Sequence, residues 1–97
     1  MNLEVSTAVQ DGVVKLVFKG DIDMSSADRF RRALDAAPAG DRLILDLTGV
    51  DYLDSAGVKV LYDHLGLDPE LIAEPGAIIL RVLAITGLCD RLTIRNP

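Results

Sequence analysis

The 97-residue chain has one cysteine, one histidine, no tryptophan and only two phenylalanines and two tyrosines, and each scarcity excludes something. Cys89 alone rules out an internal disulfide and fits a reducing compartment, where it reads as a core residue. Cys89 and His64 together cannot furnish a metal's ligand set, so no metal and no cofactor is expected. Uncharged stretches fall far short of the roughly 20 residues a membrane span needs, and no cleavable signal precedes the first expected strand. The expected setting is therefore the cytoplasm, without membrane insertion. Basic residues are also in short supply: ten Lys and Arg face fifteen Asp and Glu, a net charge of −5. Direct nucleic-acid binding, which needs a basic surface to neutralise phosphates, is excluded as the leading reading.

What is present suffices for one folded unit, a single domain over residues 1–97. The hydrophobic fraction is 49%, ample for a core, and a chain of this length buries roughly 60–65% of its unfolded surface. The negative charge is unevenly placed. Asp41, Asp46, Asp51, Asp54, Asp63, Asp68, Glu70 and Glu74 crowd one stretch against only Arg42 and Lys59. Such a stretch suits a basic partner surface, although a merely solvated acidic face is the cheaper explanation.

The most informative stretch is residues 42–65. The apolar run Leu43-Ile44-Leu45-Asp46-Leu47 predicts a strand covered on both faces. Thr48-Gly49-Val50-Asp51-Tyr52-Leu53 reads as a turn, and Asp54-Ser55-Ala56-Gly57 as the start of a helix. Val58, Leu61 and Leu65 fall on one stripe of that helix, and both Asp54 and Ser55 can accept from first-turn N–H groups. A serine at the positive end of a helix, beside unpaired N–H groups, suits an anion such as phosphate. Gly57 leaves room beside the hydroxyl for another molecule. An ordinary helix cap with a glycine for packing accounts for the same residues equally well.

Elsewhere, Leu3, Val5, Thr7 and Val9 alternate, Asp11-Gly12 signals a hairpin turn, and residues 13–19 form a second strand. Gly20-Asp21-Ile22-Asp23 then turns into a helix from about Ser25, with Ser25-x-x-Asp28 as a capping-box-like start. Ala27, Phe30, Ala33, Leu34 and Ala37 form its buried stripe, and Pro38-Ala39-Gly40 stops it. Leu71-Ile72-Ala73 reads as a fourth strand, residues 77–86 as a last helix closed by Gly87, and residues 91–94 as a short last strand. By propensity alone, Ala77-Ile78-Ile79-Leu80-Arg81-Val82 suits a strand equally well. The expected architecture is α/β, a mixed sheet of four to five strands with helices packed mainly on one face, and the serine at the end of the central strand.

Three stretches carry a family resemblance. Asp54-Ser55-Ala56-Gly57 after Leu-Thr-Gly-Val-Asp-Tyr-Leu resembles the phosphorylated loop of bacterial anti-sigma factor antagonists, which are small STAS-domain proteins. Phe18-Lys19-Gly20-Asp21-Ile22-Asp23 is similar to that family's Gly-acid-apolar-Asp turn, and Val82-Leu83-Ala84-Ile85-Thr86-Gly87-Leu88 to its C-terminal helix. The resemblance implies a protein-binding switch. Family members bind a cytoplasmic anti-sigma factor that is also a serine kinase and carries the ATP, thereby freeing the sigma factor. Phosphorylation of the loop serine ends the binding, and a serine phosphatase resets it. Carried over, Ser55 is the phosphoacceptor and Asp23 the partner-contacting aspartate. Asp54 caps the helix and aims the hydroxyl, with Asp21, Ala56 and Gly57 completing the surface. Ala56 departs from the Ser or Thr frequent there in the family, which leaves one acceptor. The alternative is a STAS scaffold subunit of a larger assembly, such as a lipid ABC transporter or a stress-signalling complex, with Ser55 only a helix cap. An apolar outer face over Ile78, Ile79, Leu80, Val82, Leu83 and Ile85 would favour it.

Enzyme readings fare worse. Asp21-x-Asp23-x-Ser25 is similar to the paired aspartates of haloacid-dehalogenase-type phosphatases, but the chain is too short for that fold. A serine hydrolase needs a base beside Ser55. On one helix His64 would lie about 13 Å away, at ~1.5 Å per residue, beyond hydrogen-bond reach. No catalytic residue is expected.

Overall fold

The Asp11-Gly12 pair forms the hairpin expected of it. β1 (Leu3–Gln10) and β2 (Val13–Ile22) pair antiparallel around it. Asp11 and Gly12 take φ of 52° and 81°, the left-handed pair that a two-residue turn needs to match the strands' twist. The computed structural model describes residues 3–97. After β2 come α1 (Ala27–Asp35), β3 (Arg42–Leu53), α2 (Ser55–Asp63) and a 3₁₀ turn at Leu65–Leu67. Then follow β4 (Glu70–Ile72), α3 (Ile78–Ile85), a second 3₁₀ turn at Leu88–Asp90 and β5 (Thr93–Arg95). The sheet order is β1-β2-β3-β4-β5, with every pair after the hairpin parallel. Five strands in a mixed sheet with three helices is the α/β arrangement expected.

The sheet has one covered face, which corrects the expectation that β3 is covered on both. Val14, Leu16 and Phe18 of β2 alternate inward with Leu45 and Leu47 of β3 and Leu71 of β4, and all are buried. Phe30 and Leu34 of α1, Val60 and Leu61 of α2, and Ile79 and Leu83 of α3 close over them. Ala27, Ala33 and Ala37 pack at the margin of this core, as the expected α1 stripe requires. The Phe18 and Phe30 rings meet edge to face with centroids 5.0 Å apart, a favoured aromatic geometry.

The other face carries the alternate residues, Lys15 level with Ile44 and Glu70, and Val17 level with Asp46, Ile72 and Arg95. No helix covers it; charged side chains do. Lys15 pairs with Asp46 at 3.7 Å, and Glu70 pairs with Arg42 at 2.7 Å and Arg95 at 3.0 Å. These diagonal pairs span β2 to β5, and beneath them Ile44 is only 9% exposed. The apolar stems of long charged side chains shield the aliphatic residues of a bare face while their heads stay in water.

Three local expectations change. Residues 48–53 form no turn, because β3 runs on to Leu53 with register shifts against β2 between Val17 and Lys19 and between Gly20 and Asp21. Gly49 serves close strand approach there: a Cβ would lie 2.8 Å from Lys19 Cγ and 3.0 Å from the Phe18 carbonyl oxygen. Gly20, Asp21 and Ile22, expected in a turn, likewise belong to the end of β2. The capping box at Ser25 is absent, since α1 starts after Ser26 and the Ser25 hydroxyl donates to Asp23 instead. The late elements stand within two residues of expectation, with β4 at Glu70–Ile72, α3 at Ile78–Ile85 and β5 at Thr93–Arg95.

Candidate functional site

Ile22 and Leu53 lie level with each other in the parallel β2–β3 ladder, so the segments leaving those strands emerge side by side at one end of the sheet. One begins with Asp23, the other with Asp54, and a bond from the Asp54 N–H to the Ile22 carbonyl (3.1 Å) ties them together.

Asp54 is the N-cap of α2. Its backbone is extended, and its Oδ1 accepts from the N–H of Ala56 at 2.9 Å and of Gly57 at 3.3 Å. Its carbonyl accepts from Val58 N–H at 3.0 Å. The capping expected of Asp54 is thus present, while the expected free anion site is not. The helix's positive end is already met by its own carboxylate. Ser55 is the first residue of the helix and is exposed. Ala56 is half-buried and Gly57 fully buried. Gly57 opens no room for another molecule, because a Cβ there would collide with Leu53 Cδ1 and lie 2.6 Å from Ile22 Cγ2. Its missing side chain admits the ends of β2 and β3, and it supports the surface from beneath.

The Asp23 segment is held by its own side chains. Asp23 Oδ1 accepts from the Ser25 N–H at 2.9 Å and the Ser25 hydroxyl at 2.6 Å. These bonds, the Ser25 hydroxyl first, hold the Asp23 carboxyl below its ordinary range. Asp23 is therefore more than an exposed carboxylate with little folding role. Ser26, which sequence reasoning passed over, is buried. Its hydroxyl donates to the Asp21 carbonyl at 2.7 Å and accepts from the Asp23 N–H at 3.0 Å. The signal that could have found it is the Asp23-x-x-Ser26 spacing of a side-chain-closed turn. Asp21 is half-buried and lies level with Tyr52 on β3. Met24 and Tyr52 are exposed apolar surface beside these carboxylates, at 84% and 49%.

The acidic stretch of the sequence resolves into two kinds of residue. Asp46, Asp63 and Glu70 have cationic partners brought from elsewhere: Lys15 for Asp46, Arg31 and Lys59 for Asp63, Arg42 and Arg95 for Glu70. Asp41, Asp51, Asp54, Asp68 and Glu74 have no ion pair among the described residues, and neither do Asp21 and Asp23. Of these, Asp21, Asp23, Asp51 and Asp54 gather at the end of the sheet that carries Ser55, whereas Asp41 and Asp68 lie at the opposite end.

His64 closes the other end of α2, with Nδ1 2.6 Å from the Val60 carbonyl and Nε2 2.7 Å from Asp35. It packs structurally, away from Ser55, as expected. Cys89 is half-buried at the margin of the core. Among the described residues no group of three or more His, Cys, Asp or Glu could hold a metal, and no helix is long and apolar enough to cross a membrane.

Comparison with known proteins agrees with this geometry. The family profile of the STAS domain matches residues 4–65, from β1 through the serine helix. No curated protein sequence matches the chain significantly. Among solved structures, an anti-sigma factor antagonist from Mycobacterium paratuberculosis is similar over 96% of this chain and 85% of its own, with 25% identity and a TM-score of 0.81. A putative anti-sigma factor antagonist from Thermotoga maritima shares the fold over 96% of this chain and 86% of its own, at 20% identity and TM-score 0.74. SpoIIAA, an anti-sigma factor antagonist solved in its unphosphorylated form, shares it over 99% of this chain and 88% of its own, at 16% identity and TM-score 0.72. A mixed five-stranded sheet that sets a capped serine helix beside an acidic turn, matched over most of its length by that profile, places this chain in the STAS domain family.

Proposed function

We propose that this protein is a non-enzymatic anti-sigma factor antagonist, switched off by phosphorylation of Ser55. In the cytoplasm it binds an anti-sigma factor serine kinase, which carries the ATP, and a serine phosphatase restores it. The observation that carries this reading is the exposed Ser55 at the head of α2, beside carboxylates that lack cationic partners. A phosphate there adds roughly −1.5 to −2 charges. The N–H groups of Ala56 and Gly57 that could receive it already bond to Asp54, and the carboxylates around it repel it. The new charge therefore stays at the surface and acts on the partner without refolding the domain. Asp21, Asp23, Asp54, Ser55 and Ala56 form the binding surface on this reading, with Gly57 as its support.

Calorimetry against the anti-sigma factor kinase tests it. Ser55→Ala should bind like the wild type, since Asp54 supplies the cap and the hydroxyl is not needed for folding. Ser55→Asp should bind about tenfold or more weakly, equivalent to ~1.4 kcal/mol, with a smaller deficit at high salt. After incubation with the kinase and ATP, mass spectrometry should place the phosphate on Ser55 and find none in Ser55→Ala. Equal affinities for all three proteins would instead support the scaffold reading, for a lipid ABC transporter or a stress-signalling complex. That reading draws on exposed Ile78 and Ile85 of α3, at 60% and 86%, although Arg81 interrupts that face.

A further inference from the structure

At the far end of the sheet from Ser55, where α1 and α2 stop and β3 begins, lies a cavity of about 540 Å³. That volume falls within the ~300–1,000 Å³ typical of small-ligand sites. Leu34, Leu43 and Leu67 give it apolar walls. Its polar lining is lopsided, with four carboxylates against one guanidinium and His64. Pairing accounts for part of this. Arg42 spends Nε and Nη2 on the two oxygens of Glu70, at 2.8 and 2.7 Å. His64 has both ring nitrogens engaged, on the Val60 carbonyl and on Asp35. Asp41 and Asp68 remain, exposed and without an ion pair among the described residues. Two helix C-termini, at Asp35 and Asp63, end beside the same space and add negative potential to it.

We propose that this cavity binds a small organic cation, an ammonium or guanidinium on a short apolar body. The charge is drawn to Asp41 and Asp68, and the body fills the space between the leucines. An anion is disfavoured here, because the charge of the one guanidinium, Arg42, is already offset by Glu70, which takes two of its N–H donors. A neutral apolar molecule leaves both carboxylates uncompensated. The half-open cavity suits one small molecule better than a peptide segment, and it lies apart from the Ser55 surface, so this inference and the proposed function stand or fall separately.

The test is a titration of the ¹⁵N-labelled protein with phenethylammonium, followed by heteronuclear NMR, beside 3-phenylpropionate, which has a similar body and the opposite charge. The cation should give saturable shifts centred on Leu43, Leu67 and Asp68, weakened by added salt, and the anion none. In Asp41→Asn combined with Asp68→Asn, affinity for the cation should fall about tenfold. Should that variant lose its dispersed spectrum, Asp68→Asn alone is titrated and should fall severalfold. Equal shifts from the anion, shifts that spread over the surface without saturating, or unchanged affinity in the variants would overturn the proposal. So would a lysine-rich peptide that occupies the cavity more tightly than the amine, which would make it a protein-docking site.

Discussion

At Gly57 two effects oppose each other. Alanine is the better helix former by about 1 kcal/mol, yet its methyl would press into Ile22 and Leu53, both buried. Overpacking of this kind costs about 1–3 kcal/mol, so Gly57→Ala should be destabilising by about 1 kcal/mol net, read as a lower urea midpoint with an unchanged slope. A gain in stability would show that the two strand ends yield easily. The sequence could not reveal this role, because what fills the space beside Gly57 comes from residues 4 and 35 positions away. The family resemblance pointed to Asp23 as a candidate partner contact, but the sequence did not show it as the residue that closes its own turn. The two roles can be separated: Asp23→Asn keeps an oxygen for Ser25 and loses only the charge, whereas Asp23→Ala loses both. On the proposed function both variants should bind the anti-sigma factor weakly, and only Asp23→Ala should melt measurably lower. Equal melting of the two would show that the bonds from Ser25 contribute little.

Among the elements, α2 depends most on one side chain. Asp54→Ala removes an acceptor shared by two first-turn N–H groups and should cost about 0.5–2 kcal/mol. Asp54→Asn, which still accepts, should cost less, and chemical denaturation of the two variants measures the difference. If Asp54→Ala matched the wild type, water would be satisfying those groups equally well. The start of α2 at Ser55 was readable from the Asp-Ser-x-Gly order, and β1 and β2 from alternation about Asp11-Gly12. The continuation of β3 through Gly49 was not readable. A glycine in a strand accommodating its neighbour's backbone looks, one-dimensionally, like a glycine in a turn. α3 was ambiguous for a related reason: its run of branched residues suits a strand, and only its tertiary setting, with Ile79 and Leu83 packed over the sheet, favours a helix.

For the molecule as a whole, the charged lattice across the bare sheet face makes a pH prediction. The Arg42 and Arg95 guanidinium groups hold the Glu70 carboxyl at about 2, well below its ordinary 4.5. Because the folded value lies below the unfolded one, the stabilisation is complete above about pH 4.5 and disappears as the pH falls from there toward 2. Between pH 6 and 3 the wild type should therefore lose more stability than Glu70→Gln, and added salt should narrow the gap. Identical pH profiles would mean that the lattice shields the sheet without stabilising it. The same sheet has another consequence. Its strands stand in the order in which they are synthesised, so a nascent chain can extend the sheet strand by strand, and each strand after the hairpin finds its partner already made. Its seams are unequal, though: β2 and β3 are ten and twelve residues long, whereas β4 and β5 are three each. The last third of the chain, beyond the stretch that the STAS profile matches, is thus the part with the least backbone pairing to hold it. Its amides should be the first of the sheet to exchange with deuterium, and a ribosome-stalled chain whose residue 65 has just cleared the exit tunnel should already protect those of β2 and β3.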